Sequence, residues 1–202
     1  VAFDLLVFDL DGTLVDSAPD IVASLQRVLG RMGRKVLSPG EIRAAIGSGV
    51  RKLIERTTTP PFEPVIDAFM EEYGGHLLDS TVCFPGVAET LAALPGRKIV
   101  LSNKPEGLSR KVVAGLGLGG HFEAVFGGDS FPTRKPDPAG LRAAANGAAR
   151  ILVVGDSGID VQTARNAGVP VCAVTYGYFK PGELEGADYR IDRFDQLLDL
   201  VR

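Results

Sequence analysis

The sequence is poor in the features that mark several classes of protein. Its two cysteines, Cys83 and Cys172, are too few for a disulfide framework. Both sit in apolar surroundings, where buried reduced thiols are expected. No apolar run approaches the ~20 residues that cross a bilayer. The apolar stretch 1–8 has no basic flank and no small-residue cleavage site, so a secretory signal is not expected. Neither sign of charge dominates: 22 Lys and Arg against 25 Asp and Glu leave −3 over 202 residues. That balance argues against a general nucleic-acid binder, while a small anionic ligand needs only a local patch. Repeats and low-complexity segments are absent. Together these absences lead to the expectation of a soluble protein of a reducing compartment, the cytoplasm.

What is present is a globular composition, 45% hydrophobic and 23% charged. Apolar runs at 3–8, 98–101, 124–126, 151–154 and 169–174 are β-branched or aromatic and bounded by Gly, Pro, Asp or Asn. Such runs read as strands buried on both faces. Helical patterns at 87–94, 105–116, 138–145, 159–167 and 194–201 lie between them. The alternation builds βαβ units and a parallel sheet, with ligands beyond the carboxyl ends of the strands. It fails between residues 19 and 80, where the pattern predicts only helices, at 19–33, 39–46, 50–57 and 64–79. The expected fold class is therefore α/β, a Rossmann-like parallel sheet with a small all-helical domain inserted after the first strand. The expected boundaries are 1–16 and 82–202 for the α/β core and 17–81 for the helical part. The first half of that helical part is rich in Arg and Lys and the second half in Asp and Glu, which reads mainly as two solvated faces that neutralise each other.

The residues with chemical promise stand at strand ends. Asp9 and Asp11 lie at i and i+2 where the first strand finishes, which puts both side chains on one side of an extended chain, and Gly12 permits a sharp turn. Close carboxylates favour a cation between them or a raised pKa on one. Ser102 and Asn103 follow the second strand at a helix start, where a hydroxyl and free backbone N–H groups can hold phosphate oxygens. Lys135 sits in a stiff loop before the helix that Asp137-Pro138 begins, placed to neutralise a phosphoryl group and an attacking carboxylate together. Asp156 and Asp160 follow the fully apolar strand 151–154. Oxygen ligands converging from separate strand ends suit Mg²⁺. Arg51, just after Gly47-Ser48-Gly49, either meets a substrate carboxylate or faces solvent.

Taken in this order, the residues resemble the haloacid dehalogenase superfamily of phosphotransferases over essentially the whole chain. Asp9-Leu10-Asp11-Gly12-Thr13 is similar to its first motif, Ser102 to its second, Lys135 to its third, and Gly155-Asp156 with Asp160 to its fourth. Within it the chain looks most like the phosphoglycolate phosphatases, on the stretches 102–106, 127–130, 134–138 and 175–178. The resemblance implies that residues 17–81 are a mobile helical cap. It also implies a Mg²⁺-dependent phosphomonoester hydrolase working through an aspartyl phosphate. Asp9 would be the nucleophile and Asp11 the general acid and base. Asp9, Asp156 and the Asp11 backbone carbonyl would hold the metal, and Lys135, Ser102 and Asn103 the phosphate. Asp160 would orient metal-bound water or Lys135. The expected partner is a small phosphorylated metabolite, with no nucleic acid and no membrane, acting on a monomer or homodimer. A nucleotidase, a pyrophosphatase, a β-phosphoglucomutase-like sugar phosphomutase and a non-catalytic binding protein are the competing readings.

Overall fold

The computed structural model describes residues 3–201. Val1, Ala2 and Arg202, which the expected core boundaries include, lie outside the described residues. In chain order the strands are β1 (Leu5–Phe8), β2 (Val15–Asp16), β3 (Val82–Cys83), β4 (Arg97–Leu101), β5 (Ala124–Phe126), β6 (Ile151–Gly155), β7 (Val171–Val174) and β8 (Tyr189–Ile191). The helices are α1 (Ala18–Arg31), α2 (Pro39–Arg43), α3 (Val50–Thr57), α4 (Glu63–Gly75), α5 (Val87–Ala93), α6 (Glu106–Gly115), α7 (Ala139–Ala145), α8 (Gly158–Ala167) and α9 (Leu197–Val201), with 3₁₀ turns at Gly119–His121 and Phe194–Gln196.

Six strands form one parallel sheet in the order β5-β4-β1-β6-β7-β8. The winding direction reverses at β1, so the crevice expected at such a switch lies beyond Phe8. All four β1 residues, Leu-Leu-Val-Phe, are buried, because helices cover both faces. Leu5 and Val7 pack with Leu141 of α7 and Val161 of α8. Leu6 and Phe8 face the side of α5, α6 and α9, through Leu91, Val112 and Leu197. That second core continues without a break through Leu10 and Leu14 into Leu25 and Leu29 of α1 and Phe69 of α4.

Helices α1–α4 lie between β2 and β3, two-residue strands that pair antiparallel where the chain leaves and returns. The turn after β1 is built around the Leu10 carbonyl, which accepts from the N–H groups of Thr13, Leu14 and Val15. Asp20, buried in the first turn of α1, closes the return: its Oδ2 accepts from the Ser80 and Thr81 N–H groups at 3.0 and 2.8 Å and from the Thr81 hydroxyl at 2.7 Å.

Several expected elements differ in extent. The helix expected at 64–79 ends at Gly75, since Gly74-Gly75 is a poor helix interior and the Ser80 and Thr81 donors turn to Asp20. The helix expected at 39–46 ends at Arg43, and Ala45 and Ile46 turn with i to i+3 bonds before Gly47 at φ +113°. The strand expected at 169–174 begins at Val171, because the Val169 N–H caps α8 on the Ala164 carbonyl. Residues 194–201 divide into a 3₁₀ turn and α9. Strands β2, β3 and β8 were not expected, and Cys83 is only half-buried while Cys172 is buried.

Removing the Asp20 carboxylate leaves three donors without their acceptor. Asp20→Ala is expected to cost about 1.5–3 kcal/mol, and Asp20→Asn less, because an acceptor remains. Urea unfolding with an unchanged slope and a lowered midpoint is the check; an unmoved midpoint in the Ala variant refutes the assignment.

Candidate active site

Asp9 is the first residue past β1. Its N–H continues the ladder to the Val154 carbonyl at 2.9 Å, and its Oδ1 accepts from the Leu10 N–H at 2.7 Å. Its Oδ2 lies 3.0 Å from Lys135 Nζ. Lys135 reaches on to Asp160 Oδ1 at 2.7 Å, so one buried ammonium bridges two buried carboxylates. Asp160 also completes the capping box of α8, its Oδ2 accepting from the Ser157 N–H and hydroxyl. The helix-start and site readings of Asp160 therefore hold together.

Asp156 follows β6. Its Oδ1 accepts from the Thr13 hydroxyl at 2.9 Å and its Oδ2 from the Tyr178 N–H at 2.7 Å. The backbone closes tightly around it: a Cβ on Gly12, whose φ is +87°, or on Gly177 would overlap the Asp156 carboxylate. Asp11 turns the other way. Ser17 donates to its Oδ1 at 2.6 Å, and Lys104 Nζ meets its two oxygens at 2.9 and 3.1 Å. Lys104 is itself buried and donates to the Tyr73 hydroxyl of α4 at 2.6 Å.

Burial pushes the Asp9 carboxyl up to about 7; Lys135 opposes this, and Asp160 adds to it. Burial also raises Asp156 well above the carboxylate range, reinforced by Asp160 and then Asp9. For Lys135 burial works against the charge, but Asp160 and Asp9 outweigh it and its pKa rises. Lys104 behaves alike: burial opposes the charge, while Asp11 and Tyr73 hold it.

Asp9, Asp156 and Asp160 each bring a carboxylate oxygen within 4.8 Å of the others. The four carboxylates, with Asp11, meet two lysines, leaving two negative charges when all are ionised. That excess and an all-oxygen donor set fit a divalent cation. Each of the three already has both oxygens engaged, Asp9 by the Leu10 N–H and Lys135, Asp156 by Thr13 and the Tyr178 N–H, and Asp160 by Lys135 and Ser157. The Asp11 carboxylate stands outside this trio, held by Ser17 and Lys104.

Ser102 and Asn103 follow β4 and line the same cavity as Asp9 and Asp11. Asn103 Nδ2 donates to the carbonyls of Gly47 and Lys135 at 3.2 and 3.1 Å, joining the loop before α3 to the lysine loop. Arg51 is not brought to the site. It is exposed and bound to Glu63 at 2.8 Å, and only a surface hollow, shared with Lys135 and Arg134, connects it to the neighbourhood. The basic and acidic halves of the helical part pair elsewhere too, Glu72 with Arg27 and Arg31.

Sequence reasoning gave no role to Lys104, Tyr73, Thr13 or Tyr178. Lys104 stands two residues from Ser102, and Tyr73 continues the buried spacing Val65, Phe69, Tyr73, signals compatible with ordinary surface and core positions.

Because a Cβ at residue 12 would displace Asp156, Gly12→Ala is expected to weaken divalent-cation affinity by about 10- to 100-fold, the range seen when metal-site support is lost. Calorimetric titration measures it; wild-type affinity in the variant means that Asp156 is not a ligand.

The family model for haloacid dehalogenase-like hydrolases matches residues 6–174. A phosphoglycolate phosphatase of Cupriavidus necator is 40% identical, over 97% of this chain and 92% of the relative. One from Cereibacter sphaeroides is 41% identical, over 86% of this chain and 85% of the relative. A crystal structure from Haemophilus somnus, described as a predicted phosphoglycolate phosphatase, superposes with a TM-score of 0.94 at 31% identity, covering 99% of this chain and 98% of that one.

Proposed function

The chain belongs to the haloacid dehalogenase-like hydrolases, and from that premise we propose that it hydrolyses 2-phosphoglycolate to glycolate and phosphate in a Mg²⁺-dependent reaction. The observation that carries the reading is the pair Asp9 and Asp11, one carboxylate turned to Lys135 and the other to Lys104. The names of the relatives support the substrate. The leaving group would sit in the cavity beside Asp9, Asp11 and Ser102, which is walled by apolar side chains such as Ile46, Val50 and Phe69.

Asp9 and Asp156, with the Asp11 backbone carbonyl, would hold Mg²⁺. Bound there, the ion supplies positive charge to the phosphoryl oxygens and the attacking carboxylate. The Asp9 carboxylate attacks phosphorus, the ester bond to the glycolate oxygen breaks, and protonated Asp11 gives that oxygen its proton. Asp11 then takes a proton from a water that attacks the aspartyl phosphate, releasing phosphate and restoring Asp9. Lys135 and Ser102 hold the non-bridging oxygens, with the backbone around Asn103. Asp160 keeps Lys135 in place.

Residues 17–81 act as a cap on a core of 1–16 and 82–202, excluding water while the acyl phosphate exists. No helix among the described residues is long and apolar enough to cross a membrane. The two free thiols support a reducing compartment, the cytoplasm. The protein acts as a monomer or homodimer on a small phosphorylated metabolite in this reading.

Phosphate release from 2-phosphoglycolate is expected to depend on Mg²⁺ and to exceed that from sugar phosphates, nucleotides and pyrophosphate. Preference for another member of that panel refutes the substrate. Asp9→Asn is expected to bind Mg²⁺ more weakly, to remain folded, and to show no turnover; measurable multiple turnover in that variant refutes the covalent scheme.

A further inference from the structure

The phosphoryl chemistry accounts for Asp9, Asp11, Ser102, Lys135, Asp156 and Asp160. It leaves Lys104 without a role. A lysine is seldom fully buried, because desolvating the ammonium is costly. Lys104 is buried nonetheless, and it lines the small cavity beside the catalytic carboxylates. Lys104 and Lys135 are bound to different members of the Asp9–Asp11 pair, and of the two only Lys104 lines this cavity. The remaining wall there is apolar, with Ile21, Leu53 and Phe69 among its side chains. Lys104 is therefore the cation that a leaving group in this cavity would meet.

Tyr73 makes the spot better suited to an anion. Its hydroxyl oxygen accepts from Lys104, and its own proton has no acceptor among the described residues. Burial raises the Tyr73 pKa to about 12, so the proton stays on the oxygen at neutral pH. An ammonium and a neutral hydroxyl donor, side by side in an apolar wall, form a receptor for one carboxylate. Arg51, the residue whose sequence position suggested this task, is tied to Glu63 at the surface.

We infer that Lys104, assisted by the Tyr73 hydroxyl, is the specificity-determining group that receives the carboxylate of the substrate; the inference rests on the 2-phosphoglycolate reading. A phosphomonoester of the same length with a neutral end would leave the Tyr73 proton without an anionic acceptor and gain nothing from the buried charge. Tyr73 belongs to α4, so carboxylate binding would also draw on the helical part of the chain and on the strand-end loop together.

The test compares kcat/KM for 2-phosphoglycolate with that for its amide, 2-phosphoglycolamide, in the wild type, Lys104→Met and Tyr73→Phe. The wild type is expected to favour the acid. In Lys104→Met that preference is expected to fall by about 10- to 100-fold, the worth of a hydrogen-bonded charge. In Tyr73→Phe, which keeps the Lys104–Asp11 pair, a fall of about 3- to 10-fold is expected, the worth of one neutral donor. Circular dichroism checks the fold, and Tyr73→Phe decides alone if Lys104→Met does not fold. Equal losses on acid and amide in Lys104→Met, or an unmoved ratio in Tyr73→Phe, overturn the inference while the substrate reading stands, and Lys104 is then only a positioning residue for Asp11. A wild type that does not favour the acid overturns the substrate reading and the inference with it.

Discussion

Negative charge is packed at one end of a parallel sheet, and the site is organised around containing it. Four carboxylates, Asp9, Asp11, Asp156 and Asp160, meet only two lysines. Burial and mutual repulsion lift Asp9 and Asp156, so the cluster carries unspent affinity for positive charge. Lys135 answers part of it by standing between Asp9 and Asp160, and its own burial keeps that attraction from being screened by water. A divalent cation would answer the rest. The phosphoryl chemistry proposed for the chain is a consequence of this imbalance: a dianionic ester approaches a carboxylate nucleophile only where cations outweigh the repulsion.

The surrounding fold keeps the carboxylates from relaxing apart. Strand register fixes where Asp9 and Asp156 emerge, since Phe8 pairs with Val154 and the Asp9 N–H bonds to the Val154 carbonyl. Asp156 is then clamped by Thr13 and the Tyr178 N–H, with Gly12 and Gly177 allowing the backbone to come against it. Tyr178 extends the clamp outward. Its hydroxyl donates to Asp16 and accepts from the Ala18 N–H, and Arg43 of α2 lies 4.7 Å from its ring centre. The outgoing crossing at β2 is thus tied to the loop that holds Asp156, and Asp20 ties the incoming one. Polar anchors therefore hold both crossings, beside the Lys104–Tyr73 and Asn103–Gly47 bonds that join the helices to the sheet.

The legible part of this arrangement was the part written locally. An apolar strand that runs straight into an acidic or hydroxyl residue can be recognised without partners, and Asp9, Asp156 and Ser102 all stand at such ends. Lys135 was legible for a related reason, the stiff loop around Pro136. What escaped was decided by distant partners. Lys104 and Tyr73 are 31 residues apart, and neither residue type announces a buried pair. Arg51 read as a candidate for an anion because it stands at a helix start just after Gly47-Ser48-Gly49, yet Glu63 on the next helix takes it. Strand β8, Tyr-Arg-Ile, is an edge strand with Arg190 exposed, so neither a continuous apolar run nor a clean alternation marks it. Helix ends shifted where tertiary acceptors such as Asp20 claimed the backbone.

Asp9 and Asp11 are also the boundary between two unlike spaces. One is the small apolar cavity that includes Lys104 and Tyr73. The other, about 120 Å³, is polar and lined by Asp156, Ser157, Lys180 and Glu183. Ile46 and Gly47 border both, and Asn103 pins that partition by bonding to the Gly47 carbonyl. Asn103 Oδ1 is buried without a partner among the described residues, a cost that the two bonds from its nitrogen offset. The asymmetry suits a two-step transfer. In the proposed scheme the leaving alcohol departs on the apolar side and the hydrolytic water enters from the polar side, beside Asp156. A proton must pass between those sides once per turnover. Asp11 lines both cavities, as the proposed role of acid in the first step and base in the second requires of one carboxyl group.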